Sequence, residues 1–271
     1  MVKLISKWSL AQNFKCPPLH NKRKIYFVSD VHLGAPALKN NRERELLFAQ
    51  WLDQIQPDVE ALYLLGDIFD FWFEYKKVVP RGFTRILGRI ANLTDKGVPV
   101  YFFPGNHDLW ASDYFTTELG VSVYHHYVVK TIKGKVFFLA HGDGLDADDK
   151  GYLRLKKIFT NKLAQWLFSR LHPNFAFSLA HRWSSSSRLS KSDIDDNFMV
   201  NKDGMYKFAT GFPEKDRVDY FVMGHRHRMA NVAIDDKARF ILLGDWINSF
   251  SYGVFDGDTF ELKKFKDTAA G

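Results

Sequence analysis

The sequence predicts an α/β fold with a helical insertion, and two kinds of segment lead to this prediction. Short, almost continuously apolar runs end abruptly in polar, glycine-containing turns, as strands do when helices cover both faces of their sheet. Segments with apolar residues at helical spacing lie between these runs. The runs predicted as strands lie at 25–29, 61–65, 98–103, 136–140, 220–223 and 240–243.

Two helices are predicted between the early strands, at 41–54 and 84–96. In the first, residues at spacings of three and four follow one helix face, namely Glu43, Leu46, Leu47 and Trp51. This alternation of strand and helix is typical of a sheet with parallel strands.

The carboxyl-terminal part is predicted to contain three strands, at 239–243, 253–256 and 259–265, joined by turns of the Asp-Gly type. We find no internal repeat and no linker other than a serine run at 184–187. We therefore expect an amino-terminal extension over residues 1–24 and one domain over residues 25–271.

The composition is that of an ordinary globular protein. Of the 271 residues, 46% are hydrophobic and 25% are charged, which excludes a disordered chain and a fibrous repeat. The single cysteine, Cys16, excludes an intrachain disulfide and indicates a reducing compartment. No apolar run approaches the ~18–20 residues of a membrane span, and residues 1–15 lack the apolar run of a signal peptide. We expect a soluble, cytoplasmic protein.

The positive charge is concentrated in residues 150–191, which contain nine basic and no acidic side chains. Seven aromatic residues lie in the same segment, and Tyr152, Leu155 and Phe159 share one helix face that continues to Trp166. The segment is predicted as a helical insertion, with a second helix starting at Pro173. Three partners suit it, namely nucleic acid, an anionic membrane surface and an anionic amphiphile. The simpler alternative is a helix hairpin with a solvated basic face.

Six of the predicted strands end in a turn that contains Asp, His or Asn. Loops at the carboxyl ends of neighbouring strands converge on one crevice, so these side chains should meet there. Mixed oxygen and nitrogen donors without thiolates suit Mn, Fe or Zn in a non-structural site. The six runs are Ser29-Asp30-Val31-His32-Leu33, Gly66-Asp67-Ile68-Phe69-Asp70, Gly105-Asn106-His107-Asp108, His141-Gly142-Asp143, Gly224-His225-Arg226-His227 and Gly244-Asp245-Trp246.

Not every polar residue in or near these runs is expected to bind a metal. Asp70, Asp143 and Asp245 are predicted to support ligands or to cap helices, because a lone strand-end Asp is more often a cap. The remaining histidines have no motif around them and are predicted to be structural or exposed. They are His20, His125, His126, His172 and His181.

The motifs, in this order, resemble those of the calcineurin-like metallophosphoesterases, D-x-H, G-D-x-x-D, G-N-H-D, H and G-H-x-H. The resemblance covers residues 25 to about 250 and implies a four-layer αββα sandwich with a helical lid insertion. It implies two divalent metal ions, with Mn²⁺ as the first choice and Fe or Zn as alternatives. One ion would be held by Asp30, His32 and His227, the other by Asn106, His141 and His225, and Asp67 would bridge them. His107 and Asp67 would be the catalytic residues, with His107 beside the leaving group.

The insertion makes the chain similar to one group in that family, the bacterial UDP-2,3-diacylglucosamine pyrophosphatases of lipid A synthesis. That group shares the run from His141 to Leu145, Asp148-Asp149-Lys150-Gly151-Tyr152 and the basic helical segment that follows. The resemblance implies hydrolysis to UMP and a lipid monosaccharide phosphate, under a lid that covers the acyl chains. Aromatics such as Trp166, Phe175 and Phe177 would roof this groove. The implied substrate contacts are Asn106, His107, Asp149, Ser187, Arg188 and Lys191.

His107 departs from that group, whose members have Arg at this position. Two alternatives therefore stay open, a hydrolase of a soluble nucleotide or phosphodiester, and a non-catalytic interaction module. The chain leaves no room for the accessory domains of DNA-processing phosphoesterases, so we expect no nucleic-acid partner. A peripheral position on the inner membrane follows from the basic, aromatic insertion.

Overall fold

The computed structural model of the protein describes residues 23–190 and 199–265, without the side chains of His181 and of residues 183–190. Eleven strands lie in these ranges. Six form the first sheet, namely β1 (Lys24–Val28), β2 (Val59–Leu64), β3 (Val100–Phe102), β4 (Ser122–Val123), β10 (Ser251–Phe255) and β11 (Phe260–Lys264). Five form the second sheet, namely β5 (Val128–Ile132), β6 (Lys135–Leu139), β7 (Tyr220–Met223), β8 (Met229–Ala233) and β9 (Arg239–Leu243).

The strand order is β11-β10-β1-β2-β3-β4 in the first sheet and β5-β6-β7-β9-β8 in the second. Strands β1 to β4 are parallel, as are β6, β7 and β9, whereas the strands β5, β8, β10 and β11 are antiparallel to their neighbours. The described helices are α1 (Asn41–Ile55), α2 (Thr84–Asp95), α3 (Tyr114–Thr117), α4 (Lys150–Phe159), α5 (Lys162–Phe168), α6 (Pro173–Ser190) and α7 (Gly204–Thr210), with 3₁₀ turns at Val200–Lys202 and Lys215–Arg217.

The side chains of β1 alternate between two hydrophobic layers. Ile25 and Phe27 pack in the layer between the two sheets, whereas Tyr26 and Val28 pack in the layer that also contains side chains of α1 and α2. A third layer joins α7, through its Met205, to the outer face of the second sheet. Helices, sheet, sheet and helix therefore follow one another, and the expected αββα sandwich is confirmed.

Each of the six polar runs follows a strand, as the sequence predicts. The strands are β1, β2 and β3 of the first sheet and β6, β7 and β9 of the second. Because these strands are parallel within each sheet, their carboxyl ends lie at one edge of it. The polar runs of both sheets therefore collect at the same end of the sandwich.

Strands β4, β5 and β8 are absent from the sequence prediction. Strand β4 has only two residues, and β5 and β8 are the edge strands of the second sheet. Residues at these edges are largely exposed or half-buried, so no continuous apolar run marks them. An edge strand of moderate hydrophobicity is difficult to distinguish from a loop in the sequence.

The single helix face predicted from Tyr152 to Trp166 is wrong. Helix α4 ends at Phe159, and the side chain of Asn161 accepts hydrogen bonds from the amides of Leu163 and Ala164, which starts α5 in a new direction. Because of this break, the large apolar residues of α5 do not continue the buried face. Leu163, Trp166 and Leu167 are 64%, 51% and 55% exposed.

Candidate metal centre

The loops after β1 and β7 bring Asp30, His32 and His227 together. The imidazole rings of His32 and His227 stack with their centroids 4.9 Å apart, and their Nε2 atoms are separated by 3.3 Å. Oδ1 of Asp30 lies 3.4 Å from Nε2 of His227. One donor atom from each residue lies within 4.8 Å of the other two, so this cluster can hold one metal ion.

A second cluster consists of Asp67, His141 and His225, whose donor atoms also lie within 4.8 Å of one another. Nε2 of His141 is 3.4 Å from Oδ2 of Asp67, and the rings of His141 and His225 are 5.2 Å apart. The same carboxylate oxygen is 3.7 Å from Nε2 of His32 in the first cluster. Asp67 therefore lies between the clusters, where one carboxylate can bind two cations.

The donor atoms suit divalent cations. Oδ1 of Asp30, Oδ1 of Asn106 and Nε2 of His141 are buried and make no hydrogen bond to any part of the chain that the structure describes. A buried polar atom without a partner costs about 1–3 kcal/mol, so such atoms indicate a missing ligand when they cluster. Carboxylate, amide and imidazole donors without a thiolate are typical of Mn, Fe and Zn.

Five of the seven predicted ligands have a left-handed backbone conformation, which is strained for residues other than glycine. Non-glycine residues with positive φ are uncommon, and strain of about 1–3 kcal/mol per residue is found mainly at functional sites. The φ angles are 55° at Asp30, 49° at His32, 53° at Asp67, 69° at His225 and 53° at His227. The fold holds these turns in place.

Glycines next to the ligands make the close approach of these loops possible. A Cβ atom on Gly105 would overlap Oδ1 of Asp67, and one on Gly66 would overlap the ring of His141. Gly66 also has a φ of 85°, which an L side chain rarely adopts. Both positions therefore require glycine.

In three of the imidazoles, Nδ1 lies close to an oxygen atom on the side of the ring away from the metal clusters. Nδ1 of His141 donates to the carbonyl oxygen of Leu65 at 2.8 Å. Nδ1 of His32 lies 3.5 Å from Oδ1 of Asp70, and Nδ1 of His227 lies 3.6 Å from Oδ2 of Asp245. In each ring, Nε2 is therefore the atom that can bind a metal ion. Asp70 and Asp245 have the supporting positions predicted for them.

Burial and charge shift the pKa values of the site in opposite directions. Desolvation lowers the pKa of His32 and of His225 to about 3, so both rings are neutral at pH 7. Burial opposes ionisation of Asp67, but the imidazoles around it, His141 first, hold the pKa of its carboxyl well below the usual range. Burial likewise opposes protonation of His141, yet Asp67 raises its pKa. His32 and His225 are thus neutral and Asp67 is ionised, which are the forms that bind cations, whereas His141 must release a proton when a cation binds.

Asp108 has a structural role that the sequence analysis missed. Its Oδ1 accepts the amides of Gly105 and Asp67 at 2.7 and 3.2 Å, and its Oδ2 those of Ile68 and Phe69 at 2.8 and 3.2 Å. This buried carboxylate thus ties the loop of Asp67 to the loop of Asn106. Burial and the nearby Asp67 raise its pKa to about 7. The only signal in the sequence is its position at the end of the Gly105–Asp108 run.

His107 lies between the metal clusters and an apolar cavity, which is described below. Its backbone amide donates to Oδ1 of Asp67 at 2.9 Å, and its Nδ1 lies 2.9 Å from the carbonyl oxygen of Asp70. Its ring meets that of His32 edge to face, with centroids 4.7 Å apart. Its donor atom also lies within 4.8 Å of those of His32 and Asp67. With Nδ1 held, Nε2 is the atom available for a substrate.

An apolar cavity of about 250 Å³ adjoins the clusters beneath the helical insertion. Asn106, His107 and His225 contribute its polar part. Its apolar part is lined by Phe71, Leu109, Trp110, Leu155, Phe159, Phe168 and Leu179.

The aromatics that cover this cavity differ from those predicted. Trp166 and Phe175 are 51% and 60% exposed and do not line it. Phe177 packs edge to face on Phe71 with centroids 5.0 Å apart. Phe159 and Phe168 take the covering position instead.

Asp143 connects the insertion to the loop of His141. Its Oδ2 accepts the hydroxyl of Tyr152 and the ammonium of Lys156, both at 2.6 Å. Asp143 is buried, so this pairing fixes the base of α4 beside the second cluster. Lys156 is therefore half-buried and paired, whereas its neighbours Lys150, Arg154 and Lys157 are exposed.

The predicted substrate contacts of the insertion are only partly described. Asp149 is exposed, and its side chain caps α4 by accepting the amide of Tyr152 at 2.9 Å. Ser187 and Arg188 belong to α6, but their side chains lie outside the described residues, as does Lys191.

Comparison with known proteins identifies the class to which this fold and site belong. The calcineurin-like phosphoesterase family matches residues 23–229, and the chain belongs to this family.

Individual relatives carry a more specific name. A protein from Porphyromonas gingivalis, named UDP-2,3-diacylglucosamine hydrolase, is 39% identical over 91% of this chain and 99% of its own. A protein of the same name from Neisseria gonorrhoeae is 32% identical over 87% of this chain and 95% of its own. Among solved structures, the phosphoesterase Yfce from E. coli is 18% identical with a TM-score of 0.43, over 91% of this chain and 95% of that chain.

Proposed function

We propose that this protein hydrolyses the pyrophosphate bond of UDP-2,3-diacylglucosamine to UMP and 2,3-diacylglucosamine 1-phosphate, in lipid A biosynthesis. The observation that carries the proposal is the apolar cavity under the insertion, which adjoins two clusters of metal-binding residues. Relatives named for hydrolysis of this substrate match nearly the whole chain. An anionic headgroup with two acyl chains suits both parts of this site.

The proposed metal ligands are the residues of the two clusters together with Asn106, which the family resemblance adds. Asp30, His32 and His227 would hold one ion, Asn106, His141 and His225 would hold the other, and Asp67 would bind both. We propose Mn²⁺, with Fe and Zn as alternatives that the same donors accept. Two divalent ions held there would supply an activated water and neutralise charge on the phosphoryl oxygens.

In the proposed reaction, the oxygen of water bonds to one phosphorus of the pyrophosphate, a proton of the water passes to bulk solvent, and the bond from that phosphorus to the bridging oxygen breaks. The bridging oxygen leaves with the other phosphate, and Nε2 of His107 can give it a proton or a hydrogen bond. Asp67 positions His107 through its backbone amide. The proposed substrate contacts are Asn106, His107, Asp149, Ser187, Arg188 and Lys191.

A soluble nucleotide or phosphodiester is the alternative substrate, and the presence of His107 favours it. Such a substrate would leave the apolar cavity without a purpose. Burial of each methylene is worth ~0.8 kcal/mol, about a fourfold change in affinity, so a diacyl substrate should bind far better than its deacylated form. The test is kcat/KM for UDP-sugars with acyl chains of increasing length.

We expect kcat/KM to rise steeply with chain length until the cavity is full. Phe168→Ala should weaken this dependence, because Phe168 lines the cavity, whereas Leu46→Ala, an exposed control on α1, should keep it. Turnover that is indifferent to acylation would exclude the lipid substrate and favour the soluble nucleotide.

His107→Ala should reduce turnover more for substrates with a poor leaving group than for substrates with a good one. If His107 assists the leaving group, turnover of the lipid pyrophosphate should fall about 10²-fold or more, and turnover of an activated p-nitrophenyl ester much less. The metal content should stay at the wild-type value, because His107 is not a proposed ligand. His172→Ala, at an exposed position outside the clusters, is the control. Equal losses on both substrates would instead assign His107 a positioning role.

We further propose that the protein is cytoplasmic and works at the anionic surface of the inner membrane. Among the described residues, no helix is both long and apolar enough to cross a bilayer. The insertion exposes large apolar residues beside basic ones, which suits contact with anionic lipids. Exposed residues of this surface include Ile158, Leu163, Trp166, Leu167 and Phe175, with Lys157, Lys162 and Arg170 beside them in the sequence.

Charge reversal on the insertion should weaken binding to vesicles that contain anionic phospholipid. We expect Lys157→Glu with Lys162→Glu to reduce bound protein in a sedimentation assay, and high salt to reduce the difference through screening. Lys156 is left unchanged because it pairs with Asp143. The control Lys96→Glu with Lys264→Glu makes the same charge change at exposed sites outside the insertion. Equal losses in both double variants would contradict a role for the insertion.

A further inference from the structure

A second cavity, of about 140 Å³, reaches the metal clusters at His141. Three parts of the chain form most of its wall, namely the β4–β5 loop with Tyr124–Tyr127, the segment 140–145 after β6, and Lys156 of α4. Leu109 lines this cavity and the apolar one, so the two adjoin the same catalytic loop. Apart from His141, no described residue that lines this cavity has a role in the proposed reaction.

The walls of the two cavities differ in chemistry. Phenylalanine, tryptophan and leucine dominate the first, whereas tyrosine, histidine and lysine contribute much of the second. Acyl chains therefore suit the first wall better than the second. A pyrophosphate substrate extends in two directions from its phosphates, so its end without acyl chains needs a separate place.

Tyr124 and Tyr127 are two ordered aromatic rings on the second wall. Tyr124 stacks on the buried Phe103, with centroids 5.3 Å apart and planes at 27°. Tyr127 stacks on the buried Phe138, with centroids 4.8 Å apart and planes at 24°. The tyrosines are nevertheless 37% and 50% exposed. Rings held in this way lose little freedom when a ligand stacks on them, and nucleobases bind to such platforms.

The polar groups of the wall suit a nucleotide. Lys156 donates to Oδ2 and to the carbonyl oxygen of Asp143, at 2.6 and 3.0 Å, and an ammonium has a third hydrogen to donate. Asp143 is the only carboxylate among the described residues that line this cavity, and Lys156 balances its charge. His125 and His126 add ring nitrogens that can bond to a base or a ribose.

We propose that this second cavity is the nucleoside subsite, in which Tyr124 and Tyr127 stack on the base of the nucleotide that leaves as UMP. The identity of the base as uracil rests on the proposed function. The class of ligand, a nucleoside 5′-phosphate whose phosphate reaches the metal clusters, rests on the cavity itself. His125 and His126, predicted to be structural or exposed, become polar contacts of this subsite.

The test is the binding of UMP to the full-length, manganese-loaded protein, measured by calorimetry beside the binding of inorganic phosphate. Removal of one stacking ring should weaken binding of a base about tenfold or more. Tyr124→Leu and Tyr127→Leu should therefore weaken the binding of UMP by that factor. The affinity for phosphate, which has no base, should change less than about twofold. Tyr124→Phe and Tyr127→Phe retain the ring and should retain UMP affinity.

Val129→Ala is the matched control, since Val129 is exposed on β5 close to Tyr127 and does not line the cavity. It should leave UMP affinity unchanged. The subsite is excluded if UMP binds wild-type protein no better than phosphate, or binds the leucine variants as tightly as wild type. Because the assay needs no lipid, base-dependent UMP binding without hydrolysis of the lipid substrate would overturn the proposed function and leave the subsite standing.

Discussion

Asp67→Asn is expected to cause the loss of at least one metal ion and to reduce turnover by three or more orders of magnitude. Oδ2 of Asp67 lies 3.4 Å from the donor atom of His141 and 3.7 Å from that of His32, between the two clusters. Asparagine keeps the shape of the side chain and removes its charge. Two dications on either side of a neutral amide repel one another, and the principal electrostatic element of the reaction is lost.

Metal content by elemental mass spectrometry and kcat on the same preparation measure this effect. Asp53→Asn is a suitable control, because Asp53 is an exposed partner of Arg89 outside the site. His141→Ala, which removes one donor from the second cluster only, should lower the metal content in the same assay. Two ions per chain with near-normal turnover in Asp67→Asn would refute the bridging role.

Asp108→Ala should destabilise the metal-free protein by about 4 kcal/mol or more. Four buried backbone amides donate to this carboxylate, and each amide that loses its acceptor costs about 1–3 kcal/mol. Asp108→Asn keeps one acceptor oxygen and presents an NH₂ group to the other pair of amides, so it should also be destabilising. Both variants should bind metal more weakly, since the loops of Asp67 and Asn106 lose their connection.

Urea unfolding in the presence of a chelator isolates this effect from metal binding. Asp113→Ala provides a control, because Asp113 is exposed and its side chain does not cap α3. An unchanged free energy of unfolding in Asp108→Ala would show that the four amides find other partners, and would contradict the structural role of Asp108.

The sequence predicted the position of the site well, because the site depends on strand ends. A strand that ends in Asp67 or His141 leaves both an apolar run and a polar turn in the sequence, and parallel strands bring such turns together. Apolar residues at helical spacing located α1 and α2. The family resemblance then supplied the assignment of ligands to two ions, which no spacing in the sequence could supply.

Features that depend on three-dimensional contacts could not be predicted. Asp108 resembles any other turn aspartate until the amides of two loops are seen around it. The break after Phe159 depends on two capping hydrogen bonds to the side chain of Asn161, which compete with a continuous apolar pattern. The resemblance implied that Trp166 roofs the cavity, whereas Phe168 lines it.

Each metal cluster takes residues from both sheets, and this has a consequence for the synthesis of the chain. Asp30, His32 and Asp67 follow strands of the first sheet, whereas His141, His225 and His227 follow strands of the second. Neither half of the polypeptide carries a complete set of donors. The proposed donor sets are complete only once residue 225, for one ion, and residue 227 of 271, for the other, have left the exit tunnel of the ribosome. Loading of the proposed ions is therefore confined to the end of translation or later, and a chain truncated before residue 225 should retain neither ion.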